Sequence, residues 1–73
     1  MDEESIGALV RRLRRARRLQ QVELAELAGV GRSWLSQVEL DRLGRPGPER
    51  LRRLAGPLGV DVAWLLGRAD RRS

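Results

Sequence analysis

The side chains of this sequence that could take part in chemistry are mostly charged, and every basic one is an arginine. Fifteen arginines and ten acidic residues in 73 positions give a formal net charge of +5 and a pI near 11.6. The planar arginine side chain donates paired hydrogen bonds to phosphate and to the edge of guanine, and it stays charged in any environment. The composition therefore favours a nucleic-acid partner, although arginines that only solvate helix faces would produce the same composition.

Two residue types that carry much enzyme chemistry are absent. The sequence has no cysteine and no histidine, which removes thiol catalysis, disulfides, the commonest zinc ligand and the usual general base. We therefore predict a protein that is not an enzyme, with no catalytic residue, no metal and no cofactor. The apolar runs are short and the first positions are acidic rather than basic, so we also predict a cytoplasmic protein with no membrane partner.

Apolar residues at three- and four-residue spacing predict a single all-α domain of five short helices. Its predicted bounds are 5–67, between an acidic lead at 1–4 and a basic tail at 68–73. In the second predicted helix, the apolar positions Leu24, Leu27 and Ala28 share a face. The first predicted helix spans about 5–17 with Ser5 as its N-cap, and the second spans Gln21 to Ala28 and ends at Gly29. The third begins after Gly31 or Ser33, either of which can be its N-cap. The fourth spans Pro48 to Leu58 and ends at Gly59, and the fifth spans Val62 to Leu66 and ends at Gly67.

The segment from Gln21 to Leu40 carries the most specific pattern. Two helices joined by a short turn that contains glycine pack at a steep angle when a small residue on the first lets the second approach. Ala25 is that small residue, one turn before Gly29 and facing the position where Leu35 must insert. The pattern predicts a helix-turn-helix.

Residues 5–67 resemble the Xre/Cro-type, phage-repressor-like helix-turn-helix family, whose fold is the five-helix lambda-repressor-like DNA-binding domain. The resemblance implies a sequence-specific, double-stranded DNA-binding transcriptional regulator, in most cases a repressor. Its third helix would enter the major groove, and a homodimer would bind two-fold related half-sites. The matching residues are Ile6, Leu13-Arg14, Leu19, Gln21, Glu23-Leu24-Ala25, Gly29-Val30, Leu35-Ser36-Gln37-Val38-Glu39, Pro46, Leu51, Leu54-Ala55, Leu58-Gly59-Val60 and Trp64-Leu65-Leu66.

The exposed side of the third helix supplies the predicted base contacts. Arginine suits guanine and glutamine suits adenine, whereas serine is a weaker reader. A plain solvated helix face is the alternative. The predicted base-reading residues are Arg32, Ser33, Ser36 and Gln37.

Phosphate contacts are predicted at the start of the second helix and in the loop after the third. Gln21 opens the second helix, where backbone N–H groups favour an anion, and the resemblance implies that it also braces the third helix. Arg42 and Arg45 are the loop candidates. The alternative is a helix-start residue without a ligand and two ordinary loop arginines.

The resemblance also implies an ion pair between Arg14 and Glu39 that ties the first helix to the end of the third. Trp34 is expected to pack on the first helix rather than lie along the groove. The chain departs from the family at Arg18 and Asp41, where glycine is usual. Arg18 must then adopt a positive φ, or its turn must differ, and aspartate tolerates that region better than most residues. The loop after the third helix also looks about one residue longer than the common form.

The last predicted helix has more apolar residues than one short helix can turn inward, and this excess predicts a dimer interface. We place that interface at Val60, Val62 and Trp64, beside Leu65 and Leu66. The alternative is that these residues close the core of a monomer.

Two other functions fit the sequence. A stand-alone controller of a restriction-modification locus, or an antitoxin, would also be a small helix-turn-helix protein. A protein-interaction module that has lost DNA binding is the candidate from a different class, and Arg32 on the third helix argues against it.

Overall fold

The five predicted helices are present in the predicted order. A computed structural model describes residues 4–70 of the chain, and these residues form helices and no strand. The all-α, five-helix prediction is therefore confirmed. None of the helices between residues 4 and 70 has the length and apolar character needed to cross a bilayer. The helices are α1 (Ile6–Ala16), α2 (Gln21–Ala28), α3 (Arg32–Glu39), α4 (Pro48–Leu58) and α5 (Val62–Asp70).

Local sequence signals set most helix ends. The Ser5 hydroxyl accepts a hydrogen bond from the Ala8 backbone N–H at 3.0 Å, which caps α1. Gly29 and Gly59 follow α2 and α4 with φ of +71° and +73°, a left-handed conformation that is cheapest for glycine. Gly31 is the N-cap of α3, and Pro48 occupies the first turn of α4. These ends agree with the predicted ones to within a residue.

The predicted end of the last helix is wrong. α5 continues through Gly67 to Asp70, so residues 68–70 belong to the helix rather than to a tail. Glycine inside a helix costs only about 1 kcal/mol, and burial of Ala69, which is 1% exposed, offsets that cost. Positions 71–73 of the predicted tail and 1–3 of the predicted lead lie outside the described residues.

The core is built from one apolar stripe on each helix. Its largest fully buried side chains are Leu9, Val10, Leu24, Leu35, Val38, Leu51, Leu54 and Leu65. Leu27, which the spacing places on one face with Leu24 and Ala28, does not join this core, because it is 65% exposed. Ala25 is buried with Leu24 and Ala28 instead, and their shared face lies on the far side of Leu24 from Leu27.

Two residues that replace glycine adopt left-handed conformations. Arg18 and Asp41 each have φ of +59°, so of the two possibilities at Arg18, a positive φ or a different turn, the structure shows the positive φ. Asp41 is also tied down, since its carboxylate accepts a hydrogen bond from the Ser5 hydroxyl at 2.8 Å. The turn after α3 is thus fastened to the start of α1.

The first turn of α1 lies against the last turn of α3 at Gly7. A Cβ atom built on Gly7 would collide with the backbone oxygen of Val38 and come within 2.5 Å of the Asp41 carboxylate. This close approach requires glycine, and it holds the end of α3 against α1.

Gly7→Ala is therefore expected to lower the free energy of unfolding by about 1–3 kcal/mol, because the backbone at Val38 must move. Gly67→Ala is the matched control. No neighbouring atom lies within 4 Å of a Cβ built there, so alanine is expected to raise the free energy of unfolding by about 0.5–1 kcal/mol. Urea denaturation of both variants measures the difference, and equal stabilities would contradict the close approach.

Candidate nucleic-acid interface

One side of α3 is open to solvent along most of its length. Arg32, Ser33 and Gln37 are exposed and Ser36 is half-buried, while Leu35 and Val38 on the opposite side are 0% and 2% exposed. The structure therefore brings the four predicted base-reading residues onto one surface, which we call the α3 face. It presents a guanidinium, an amide and two hydroxyls, all groups that bind base edges.

A buried ion pair holds α3 in place from the side of α1. Nε and Nη2 of Arg14 donate to the two carboxylate oxygens of Glu39 at 2.7 and 2.9 Å. Nη1 of Arg14 donates to the Leu19 carbonyl oxygen at 2.7 Å. The Arg14 and Glu39 side chains are 10% and 2% exposed. The hydrogen bonds to Glu39 raise the pKa of the Arg14 guanidinium above its ordinary value, so Arg14 keeps its charge in this buried position.

Gln21 joins the same network from the start of α2. Its side-chain amide donates to a carboxylate oxygen of Glu39 at 3.1 Å, and its side chain is half-buried. Gln21, Ser36 and Glu39 line one shallow depression with Arg11 and Arg15 of α1. These two arginines are candidate phosphate contacts that were not predicted from the sequence, although their four-residue spacing in the first helix is visible there.

The predicted loop arginines follow α3 directly. Arg42 and Arg45 are both exposed, and the Arg42 backbone N–H donates to the Gln37 carbonyl oxygen at 3.0 Å. That bond links the loop to the last turn of α3 and places Arg42 beside the end of the α3 face.

α4 holds the opposite side of the helix-turn-helix through two arginines that the sequence reasoning did not single out. Nη1 of Arg53 donates to the Gly29 carbonyl oxygen in the turn between α2 and α3 at 3.0 Å. The Arg50 guanidinium lies over the Trp34 ring, 4.8 Å from its centroid. Trp34 was expected to pack on the first helix. In the structure its side chain is partly buried against the core, and the α4 residue Arg50 lies on its ring.

The predicted dimer residues surround the start of α5. Val60 and Val62 are half-buried and pack against the core, while Trp64 is 41% exposed. Leu65 is fully buried. Val62 and Trp64 lie on different flanks of α5, because two residues along a helix correspond to about 200° of rotation. Arg68 covers the Trp64 ring at 5.2 Å from its centroid.

Comparison with known proteins identifies the family. A family model described as a helix-turn-helix domain matches residues 5–65. No curated protein matches the sequence. Several solved structures are similar to the chain over most of its length, and three of them are described below.

The first is SinR of Bacillus subtilis, the master regulator for biofilm formation, in complex with DNA. It is 34% identical over 84% of this chain and 97% of that chain, with a TM-score of 0.78. The DNA-binding domain of the P22 C2 repressor is 27% identical over 90% and 86%, with a TM-score of 0.77. The clp gene regulator ClgR from Corynebacterium glutamicum is 31% identical over 96% and 73%, also with a TM-score of 0.77. With a helix-turn-helix model matched across nearly the whole chain, this protein belongs to the helix-turn-helix domain family.

Proposed function

We propose that this protein is a sequence-specific, double-stranded DNA-binding transcriptional regulator that reads the major groove with α3. The observation that carries the proposal is the α3 face, an exposed row of base-binding side chains on a helix that a buried ion pair holds rigidly. A site on a fixed helix keeps its geometry better than one on a loop. The similarity to SinR, whose structure contains DNA, supports the proposal.

In the proposed complex, Arg32 and Gln37 make the main base contacts, and Ser33 and Ser36 make weaker ones. Gln21, Arg42 and Arg45 contact phosphates on either side of the base-reading residues and set the register of α3 in the groove. The net charge of +5 attracts the polyanion over a longer range. Regulation follows from occupancy, because a protein bound at an operator in the cytoplasm blocks or assists polymerase without chemistry of its own.

The proposal includes a homodimer on two-fold related half-sites. A single helix-turn-helix reads only a few base pairs, which gives a low specificity ratio against genomic competitors. We place the two-fold interface at the start of α5, with Val60, Val62 and Trp64 contributing. The exposed Trp64 ring beside the half-buried Val62 and Val60 supports that placement. Half-sites would then lie about 34 Å apart on one face of the duplex.

Selection of bound duplexes from a random pool tests this function with the native chain and its variants. Arg32→Ala and Gln37→Ala are each expected to relax selectivity at one or two base pairs per half-site, by about 1–3 kcal/mol, with the fold unchanged because both side chains are exposed. Arg42→Ala is the comparison variant, and it is expected to lower the affinity for all duplexes by the same factor. If Arg32→Ala and Gln37→Ala also weakened every sequence equally, the α3 face would not read bases.

A further inference from the structure

The stack of Arg50 on Trp34 joins α4 to α3, the recognition helix of the proposed complex. Neither residue is among the DNA contacts proposed above. The Arg50 guanidinium lies 4.8 Å from the centroid of the Trp34 ring. Arg50 is exposed and Trp34 is half-buried. Within residues 4–70, the ring is the contact that the structure shows for this guanidinium. A cation–π contact leaves the N–H donors of the guanidinium available, whereas a carboxylate partner would use them.

The stack lies at the edge of the α3 face. Trp34 precedes Gln37 by three residues, so the two side chains are separated by about 60° around the helix. Ser36 and Glu39 lie on the other edge of α3, in the depression that also contains Gln21. Gln21 and Arg50 therefore flank the α3 face on opposite sides.

The geometry of the DNA duplex indicates what Gln21 and Arg50 can contact. A helix that lies in the major groove has a phosphate backbone along each of its sides, because the groove is only about 12 Å wide. Gln21 is the candidate phosphate contact on one side. On the other side, Arg50 is held by Trp34, a side chain of α3, so its guanidinium keeps its place relative to the base-reading residues.

The neighbouring arginines of α4 have other positions or partners. Arg53, three residues after Arg50 on the same flank, donates to the Gly29 carbonyl oxygen and to Glu49. Arg52 is exposed and lies about 160° around the helix from Arg50. Arg53 thus fixes this flank of α4 to the turn before α3, and the N–H donors of Arg50 remain available beside the α3 face.

We propose that Arg50 contacts a DNA phosphate on the side of the recognition helix opposite Gln21, and that Trp34 is the positioning residue that holds its guanidinium there. The inference rests on the proposed DNA-binding function. Because the stack restricts Arg50 in the free protein, less side-chain freedom is lost when the phosphate binds. The contact fixes the orientation of α3 and carries no base preference of its own.

The first test measures the affinity of the chain for its selected duplex at several salt concentrations by fluorescence anisotropy. Arg50→Gln is expected to weaken binding about 10-fold or more at moderate salt. It should also reduce the slope of log K against log salt by about 0.9 for each protein copy bound. Arg52→Gln removes the same charge from the same helix on the other flank, and it is expected to change affinity less than about 3-fold. Base selectivity should be unchanged in both variants.

The outcomes separate the inference from the function on which it rests. If the native chain binds a specific duplex and Arg50→Gln behaves like Arg52→Gln, the phosphate contact is wrong while DNA binding stands. If the native chain prefers no duplex, the proposed function fails and the contact fails with it.

A second test isolates the role of Trp34, using Trp34→Leu in the native and Arg50→Gln backgrounds. Leucine keeps an apolar side chain against the core and removes the aromatic face, and thermal unfolding by circular dichroism verifies that each variant is folded. The expected result is weaker binding in the native background and no further loss when Arg50 is already glutamine. An equal loss in both backgrounds would show that Trp34 does not act through Arg50 and would overturn the positioning role.

Discussion

Glu39→Ala is expected to lower the free energy of unfolding by about 3–5 kcal/mol, the largest stability effect of any polar substitution in the described residues. Arg14 would lose both hydrogen bonds to the carboxylate while its side chain, 10% exposed, stayed buried. An arginine cannot relieve this situation by losing its proton. Urea denaturation at neutral pH, followed by circular dichroism, measures the change.

An exposed ion pair of the same residue types is the control. Arg12 and Glu4 are also joined by two hydrogen bonds at 2.9 Å, but their side chains are 58% and 26% exposed. Arg12→Ala is expected to leave the urea midpoint close to that of the native chain. The double variant Arg14→Met with Glu39→Leu is expected to recover most of the stability lost in Glu39→Ala, because it leaves no buried charge. A small effect of Glu39→Ala, similar to that of Arg12→Ala, would contradict this account of the ion pair.

Val62→Glu is expected to lower the affinity for a duplex with two half-sites about 100-fold, because binding of the second copy then gains nothing from the first. The new carboxylate would be buried against its two-fold mate in the proposed interface. Affinity for a single half-site should change much less. Anisotropy on both duplexes measures the two affinities, and sedimentation gives the state of the protein with and without DNA.

Leu27→Glu makes the same change in charge at an exposed apolar residue on α2, away from the start of α5. Leu27→Glu is expected to lower the affinity for both duplexes by the same small factor. Trp64→Ser tests the other flank of α5 and shows how far the interface extends around that helix. A native chain that is monomeric in sedimentation, both free and on the two-half-site duplex, would rule out the dimer.

The helix-turn-helix could be predicted because its determinants are local. Gly29 marks the end of α2 by its conformational freedom, and Ala25 marks the place where α3 approaches. Both signals can be identified in the sequence without knowledge of the tertiary contacts. The left-handed conformation of Arg18 could also be anticipated from the sequence, because glycine is usual at that position in the family that the chain resembles.

The features that could not be predicted depend on contacts between distant parts of the chain. The burial of Ala69 carries α5 past Gly67, and the sequence around Gly67 gives no sign of it. Leu27 has the spacing of a core residue, but α2 turns Ala25 toward α3 and so leaves Leu27 outside. Arg50 and Trp34 are separated by sixteen positions, and they meet only because α3 and α4 both pack against α2.

The central claim is that the α3 face recognises a DNA sequence, and the most direct test is the affinity of the native chain for its selected duplex and for an unrelated duplex over a range of salt concentrations. We expect the selected duplex to bind about 10³-fold or more tightly than the unrelated duplex. Both affinities should fall steeply with salt, by about 0.9 in the log–log slope for each phosphate contacted. Equal affinities for the two duplexes, with a slope near zero, would contradict the claim.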